Sequence, residues 1–120
     1  MARILLPEDD SSLRLFLSRA LEGAGHEVVQ ADSGHAALPV LETGGIDLLL
    51  TDIVMPGLDG IELAQRARAM TPGLRVLFIT GFAAVAFDRA SAPADARVLS
   101  KPFHLRDLVQ EIALMFPSGA

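Results

Sequence analysis

Residues 48–56 read LLLTDIVMP: three leucines, then Thr51 and Asp52, then a second apolar run closed by Pro56. A carboxylate at the end of so apolar a run poses a physical problem. An ionised carboxylate taken out of water without partners costs enough that it neutralises instead. Asp52 must therefore emerge at the mouth of a strand or meet a positive group there. The run DLLL (47–50) is apolar on both faces and too short for a helix, the pattern of a strand buried within a parallel sheet.

The same alternation extends outward in both directions. RILL (3–6), EVVQA (27–31), RVLFI (75–79) and RVLS (97–100) read as further strands, and segments of helical period follow each one. After the first strand, SSLRLFLSRALEGAG places Leu13, Phe16, Leu17, Ala20 and Leu21 on one face, with Gly23 and Gly25 as stop signals. The other helical segments run from about Ser33 to Glu42, over IELAQRARAM (61–70), from Phe82 to about Ala90, and from about Leu105 to Phe116. Five strand–helix units with right-handed crossovers predict an α/β fold, a flavodoxin-like doubly wound (βα)5 with a five-stranded parallel sheet in the order 2-1-3-4-5. Pro39 disturbs the second helix, since it removes the bond to the His35 carbonyl; that helix either starts late, near Leu38, or is kinked.

Composition narrows the function. A chain of 120 residues suits one domain, 1–120, with a single core. Hydrophobic residues make up 51% and charged residues 21%, which favours a compact fold over disorder. The longest nearly apolar stretch, VLFITGFAAVAF, is shorter than the roughly 20 residues a spanning helix needs, and MARILLPEDD turns acidic too early for a signal peptide. A cytoplasmic protein without a membrane partner is expected. The absence of cysteine removes disulfides, thiolate metal sites and cysteine nucleophiles. A net charge of −5 with no basic stripe argues against nucleic acid.

In open α/β sheets the functional site lies beyond the carboxyl ends of the strands. Those ends deliver Glu8, Asp9 and Asp10 after the first strand, Thr51 and Asp52 after the third, Thr80 and Gly81 after the fourth, and Lys101 and Pro102 after the fifth. An acidic pair alone is usually a solvated loop or helix N-terminal decoration. Thr80 alone is usually a strand-end hydroxyl, and Lys101 alone a surface charge. Their joint arrival on one rim is what carries meaning, because clustered carboxylates repel unless a cation intervenes. With oxygen ligands only, the cation implied is Mg²⁺ or Mn²⁺ rather than Zn²⁺. Magnesium commonly keeps waters and binds phosphate oxygens, so Lys101 and the Thr80 hydroxyl are expected to meet a phosphoryl group and Asp52 to be its acyl-phosphate nucleophile.

PEDD, LLLTDIVMPGLDG, FITG and LSKPF resemble the motif regions of response-regulator receiver domains, at matching spacing and over essentially the whole chain. The resemblance implies that Asp52 is phosphorylated and that Asp9 binds Mg²⁺ directly. It also implies Glu8 as a ligand mostly through water, the Val54 backbone carbonyl as the remaining protein ligand, Thr80 as the switch hydroxyl, and Lys101 as the motif lysine. Asp10, one residue beyond the pair, falls outside this site. MARILLPEDD, TDIVMPGLDGIELAQRA, VLFITGFAAVAF and VLSKPFHLRDLV are similar to the CpdR group of single-domain regulators. That likeness implies a histidine kinase or histidine phosphotransferase as donor and an adaptor role toward the ClpXP protease, with ClpX as output partner. It also implies a switch with only self-phosphorylation and slow self-dephosphorylation, not a turnover enzyme.

Two departures stand out. Receivers usually carry Tyr or Phe three residues before the motif lysine, where this chain has Val98. After Phe116 only PSGA remains, so no output domain is expected and output falls to protein contact, for which Phe82, Val85 and Phe87 lie near the usual output face. Those three read first as residues packing on the sheet, since apolar helix faces are normally core. His26, His35 and His104 fall away from the rim and read as surface or cap residues.

Rival readings fit less well. An aspartyl-phosphate hydrolase needs a second carboxylate two residues after its nucleophile, where Val54 stands. A flavin carrier of the same fold needs a phosphate-cradling loop and usually aromatics, whereas PEDD follows the first strand and the chain has neither Trp nor Tyr. A receiver excised from a hybrid kinase remains a third reading, against which the starting Met argues mildly.

Overall fold

The computed structural model describes residues 2–81 and 95–116. The elements are β1 (Arg3–Pro7), α1 (Ser11–Gly23), β2 (Glu27–Ala31), α2 (Gly34–Thr43), β3 (Leu48–Asp52), α3 (Gly60–Met70), β4 (Arg75–Thr80), β5 (Arg97–Ser100) and α4 (Leu105–Met115). The expected helical segment from Phe82 to about Ala90, with Phe82, Val85 and Phe87, lies outside the described residues, as does PSGA.

The strands form one parallel sheet in the order β2-β1-β3-β4-β5, as the alternation predicts. Successive residues of a strand face opposite sides, and β3 shows how this builds two cores. Leu49 joins Leu5, Val76 and Phe78 under α2 and α3. Leu48 and Leu50 join Ile4, Leu6, Leu77 and Ile79 under α1 and α4. Asp52 continues the second series by two residues and comes out at the open end of the strand.

The structure departs from the sequence reading in four respects. β1, β3 and β4 each run one or two residues further, through Pro7, Asp52 and Thr80, because parallel pairing continues past the apolar run. The fully buried pattern holds for β1, β3 and β4, whereas β5, at the sheet edge, leaves Arg97, Val98 and Ser100 exposed. In α1, Phe16 is 57% exposed while Ser18 is fully buried. The two lie 100° to either side of Leu17, and only one flank of the stripe turns inward. Finally, α2 does not start late: Ser33 accepts the Ala36 N–H at 3.0 Å as N-cap, and the helix runs through Pro39.

Candidate functional site

At the end of β1 the Glu8 N–H donates to the Ala31 carbonyl at 3.0 Å, which extends the ladder and turns the side chain inward until the residue is 3% exposed. Glu8 Oε2 accepts the Asp10 N–H at 3.1 Å, while Oε1 is buried without a hydrogen-bond partner. Burial is the main reason the Glu8 carboxyl lies above its ordinary range. The neighbouring Asp9 carboxyl and the negative charge of Asp52 push the same way, and the Asp10 N–H and Lys101 oppose them. Asp9 itself is exposed. Asp10 is occupied elsewhere, accepting the Leu13 N–H at 3.1 Å as the N-cap of α1.

Asp52 closes β3 with its side chain 14% exposed. Lys101 Nζ donates to Oδ2 at 2.8 Å, and the Val54 N–H donates to Oδ1 at 3.2 Å. The opening problem of a carboxylate at the end of an apolar run thus has both answers: Asp52 is at a strand mouth and it meets a cation. Beneath it Thr51 is fully buried, its hydroxyl donating to the Asp52 carbonyl at 3.0 Å and lying 3.8 Å from Met55 Sδ.

The turn after Asp52 depends on a residue that motif reading passed over. The Gly60 N–H donates to the Ile53 carbonyl at 2.8 Å, and a Cβ on Gly60 would sit 2.0 Å from the Asp52 carbonyl oxygen. Only glycine allows α3 to start that close to the strand. The Asp-Gly pair before a helical run was the available signal: Asp59 caps α3 through the Glu62 N–H at 2.8 Å. Gly57, at φ 77°, turns the loop.

Thr80 ends β4 and is fully buried. The Lys101 N–H donates to its carbonyl at 2.7 Å, which ties the two residues by backbone as well as by position. The Lys101–Pro102 peptide is cis. The rim therefore brings Glu8, Asp52, Thr80 and Lys101 together, with Asp9 beside Glu8. Val54 follows Asp52 on the turn and is 55% exposed. The histidines stay apart: His26 accepts the Ala2 N–H through Nδ1 at 3.1 Å, His104 stands at the N-cap of α4, and the His35 ring lies next to Gly57 in the loop.

Three carboxyl groups share this rim with one ammonium, and one buried acceptor, Glu8 Oε1, has no donor. An oxygen-only set with surplus negative charge fits a hard divalent cation. Among the described residues no group of three or more His, Cys, Asp or Glu is arranged to hold a metal ion by itself. That is compatible with magnesium, which is usually held by one or two carboxylates and waters.

The response regulator receiver domain family matches residues 4–113. The response regulator receiver protein CpdR of Brucella abortus is 60% identical over 116 residues, covering 96% of this chain and 97% of CpdR. The sensor kinase CckA of the same organism is 38% identical over 118 residues, which are 95% of this chain and only 12% of the kinase. Among solved structures, the response regulator TrrA of Thermotoga maritima, in complex with Mg²⁺ and BeF, superposes with a TM-score of 0.83 at 26% identity, over 96% of this chain and 99% of TrrA.

Proposed function

The chain belongs to the response regulator receiver family, and from that premise we propose that it is a phosphoryl-accepting switch whose acceptor is Asp52. The observation that carries this reading is the Asp52 carboxylate at a strand mouth, 2.8 Å from Lys101 Nζ and beside the buried, partly unpartnered Glu8. In the transfer, a carboxylate oxygen of Asp52 forms a bond to phosphorus as the donor's P–N bond breaks, and the donor imidazole keeps the electron pair. Lys101 then exchanges its contact with Asp52 for one with a phosphoryl oxygen, and the Thr80 hydroxyl donates to another. Asp9, Glu8 through water and the Val54 carbonyl are the groups that would hold Mg²⁺, with Asp52. When bound, the ion supplies positive charge against the phosphoryl oxygens.

The switch is a population shift. Val98 stands exposed on β5 where the family usually carries an aromatic ring. The donor is a histidine kinase or histidine phosphotransferase. The output is a protein contact, and the likeness to CpdR supports ClpX as partner, with the unphosphorylated form as adaptor in the cytoplasm.

The test is intact-protein mass after incubation with acetyl phosphate, with and without Mg²⁺. Wild type should gain one phosphoryl group only with Mg²⁺, and Asp52→Ala should gain none. A wild type that stays unmodified beside a working receiver control overturns the reading. Capture of ClpX by the unmodified form but not the phosphorylated form tests the adaptor role, and equal capture by both sinks it.

A further inference from the structure

Arg14 lies in the first turns of α1 and takes no part in the phosphoryl site as described. Its guanidinium is nevertheless aimed at that site's backbone. Nη1 donates to the Glu8 carbonyl at 2.6 Å, and Nε donates to Gln30 Oε1 on β2 at 3.3 Å. A charge-assisted bond this short is among the stronger contacts available to a carbonyl. Both peptide units flanking the Glu8 Cα are thereby held, the first through the Glu8 N–H to Ala31 and the second through the Glu8 C=O to Arg14.

The consequence concerns the next residue. The Glu8 carbonyl belongs to the peptide plane that leads into Asp9, so fixing its direction fixes how the chain leaves β1. Glu8 is 3% exposed and held by burial, whereas Asp9, the next residue, is exposed, so the direction in which the backbone leaves Glu8 bears most on Asp9. At the rim, Lys101 Nζ addresses a carboxylate, Asp52 Oδ2, at 2.8 Å. Arg14 addresses the backbone instead.

We infer that Arg14 is a positioning residue for the divalent cation, one that orients the Glu8–Asp9 pair through the Glu8 carbonyl, with Gln30 as the brace that holds the guanidinium. The inference rests on the reading of Glu8, Asp9 and Asp52 as the cation site. Groups that orient first ligands typically change metal affinity by about 10-fold or more when removed.

The experiment is calorimetric Mg²⁺ titration of the full chain as wild type, Arg14→Met, Arg14→Lys and Gln30→Met, with urea unfolding of each in the absence of Mg²⁺. Arg14→Met keeps the apolar stem and removes the donors; it should weaken Mg²⁺ binding by about 10-fold. Arg14→Lys should recover part of that loss, and Gln30→Met should weaken binding by a smaller factor. Mg²⁺ affinity within about twofold of wild type in Arg14→Met, whatever its urea midpoint, shows a merely structural brace and overturns the inference. If Arg14→Met does not fold, Gln30→Met and Arg14→Lys decide by the same criterion. Should wild type itself bind no Mg²⁺, the cation site fails first and the role of Arg14 falls with it, a result distinct from unequal variants.

Discussion

The two ends of the same sheet treat charge in opposite ways. Around the starts of β1, β2 and β3, polar groups answer one another. Arg3 Nε meets Glu27 Oε2 at 3.0 Å, the Arg3 N–H meets Asp47 Oδ2 at 2.8 Å, and the Ala2 N–H meets His26 Nδ1 at 3.1 Å. At the end where the strands finish, Glu8, Asp9 and Asp52 gather near Lys101, whose Nζ meets Asp52 Oδ2, and Glu8 Oε1 is buried without a donor. Both ends are built on the same strands, so the imbalance does not come from the architecture. Proteins depart from polar satisfaction mainly where function requires it. The surplus negative charge is what the proposed cation and phosphoryl chemistry would answer.

The comparison can be broken most severely at Gly60. Gly60→Ala places a Cβ 2.0 Å from the Asp52 carbonyl oxygen, against backbone rather than a yielding side chain. It should lower stability by about 3 kcal/mol, read as the urea midpoint, and displace Asp52 enough to slow phosphorylation. Full stability in this variant would show that the turn is not as tight as described. Next in size is Lys101→Met, which leaves the carboxylates without their cation. Lys101 is 33% exposed at its side chain, so the expected loss is about 1–2 kcal/mol, and saturating Mg²⁺ should restore part of it by linkage. A loss that Mg²⁺ does not touch would count against the shared cation site.

Glu8→Gln sharpens the contrast in the opposite direction. Its amide gives the neighbouring carboxylates a donor and removes a charge from a buried position. Stability without Mg²⁺ should rise by about 1 kcal/mol, while the Mg²⁺-induced increase in melting temperature shrinks. Glu27→Gln, at the other end, removes a carboxylate that is 67% exposed and paired only with Arg3. It should change stability by less than about 0.5 kcal/mol and leave the response to Mg²⁺ intact. Equal behaviour of the two variants would erase the distinction between the ends.

The sheet order and the placement of Glu8, Asp52, Thr80 and Lys101 were legible in the sequence, because strands that alternate with helices leave few topologies and the rim follows from topology. Exposure along β5 was not legible, since an apolar run reads alike in a central and an edge strand. Phe16 shows the same limit for helices: periodicity finds the stripe around Leu17 and Leu21 and does not say which flank, that of Phe16 or of Ser18, turns inward. Gly60 was passed over in the sequence, because the 2.0 Å that would separate a Cβ there from the Asp52 carbonyl oxygen is a three-dimensional fact. Arg14 reads as an ordinary exposed helix charge until its reach back to the Glu8 carbonyl is seen.

The smallest expected effect lies at the satisfied end, in His26. Burial disfavours its imidazolium, and the positive amino terminus repels that charge, so its folded value lies below the ordinary 6.5. The bond from the Ala2 N–H to Nδ1 also requires the unprotonated nitrogen. Near that range the unfolded chain binds more protons at this site than the folded one, so stability rises with pH. The contribution of neutral His26 is present above 6.5 and is lost as the pH falls through that value toward the lower folded one. Glu8, with its raised folded value, slopes the other way as pH climbs from 4.5, so wild type alone cannot isolate the histidine. His26→Gln keeps an acceptor for the Ala2 N–H and cannot titrate. The difference in unfolding free energy between wild type and this variant, followed from about pH 7.5 to about pH 5.5, should therefore move against wild type on acidification. Phosphoryl uptake at neutral pH should be unchanged. Parallel profiles would show that His26 is not a titrating contact, and a loss of phosphoryl uptake would show that the two ends of the sheet are coupled rather than separate.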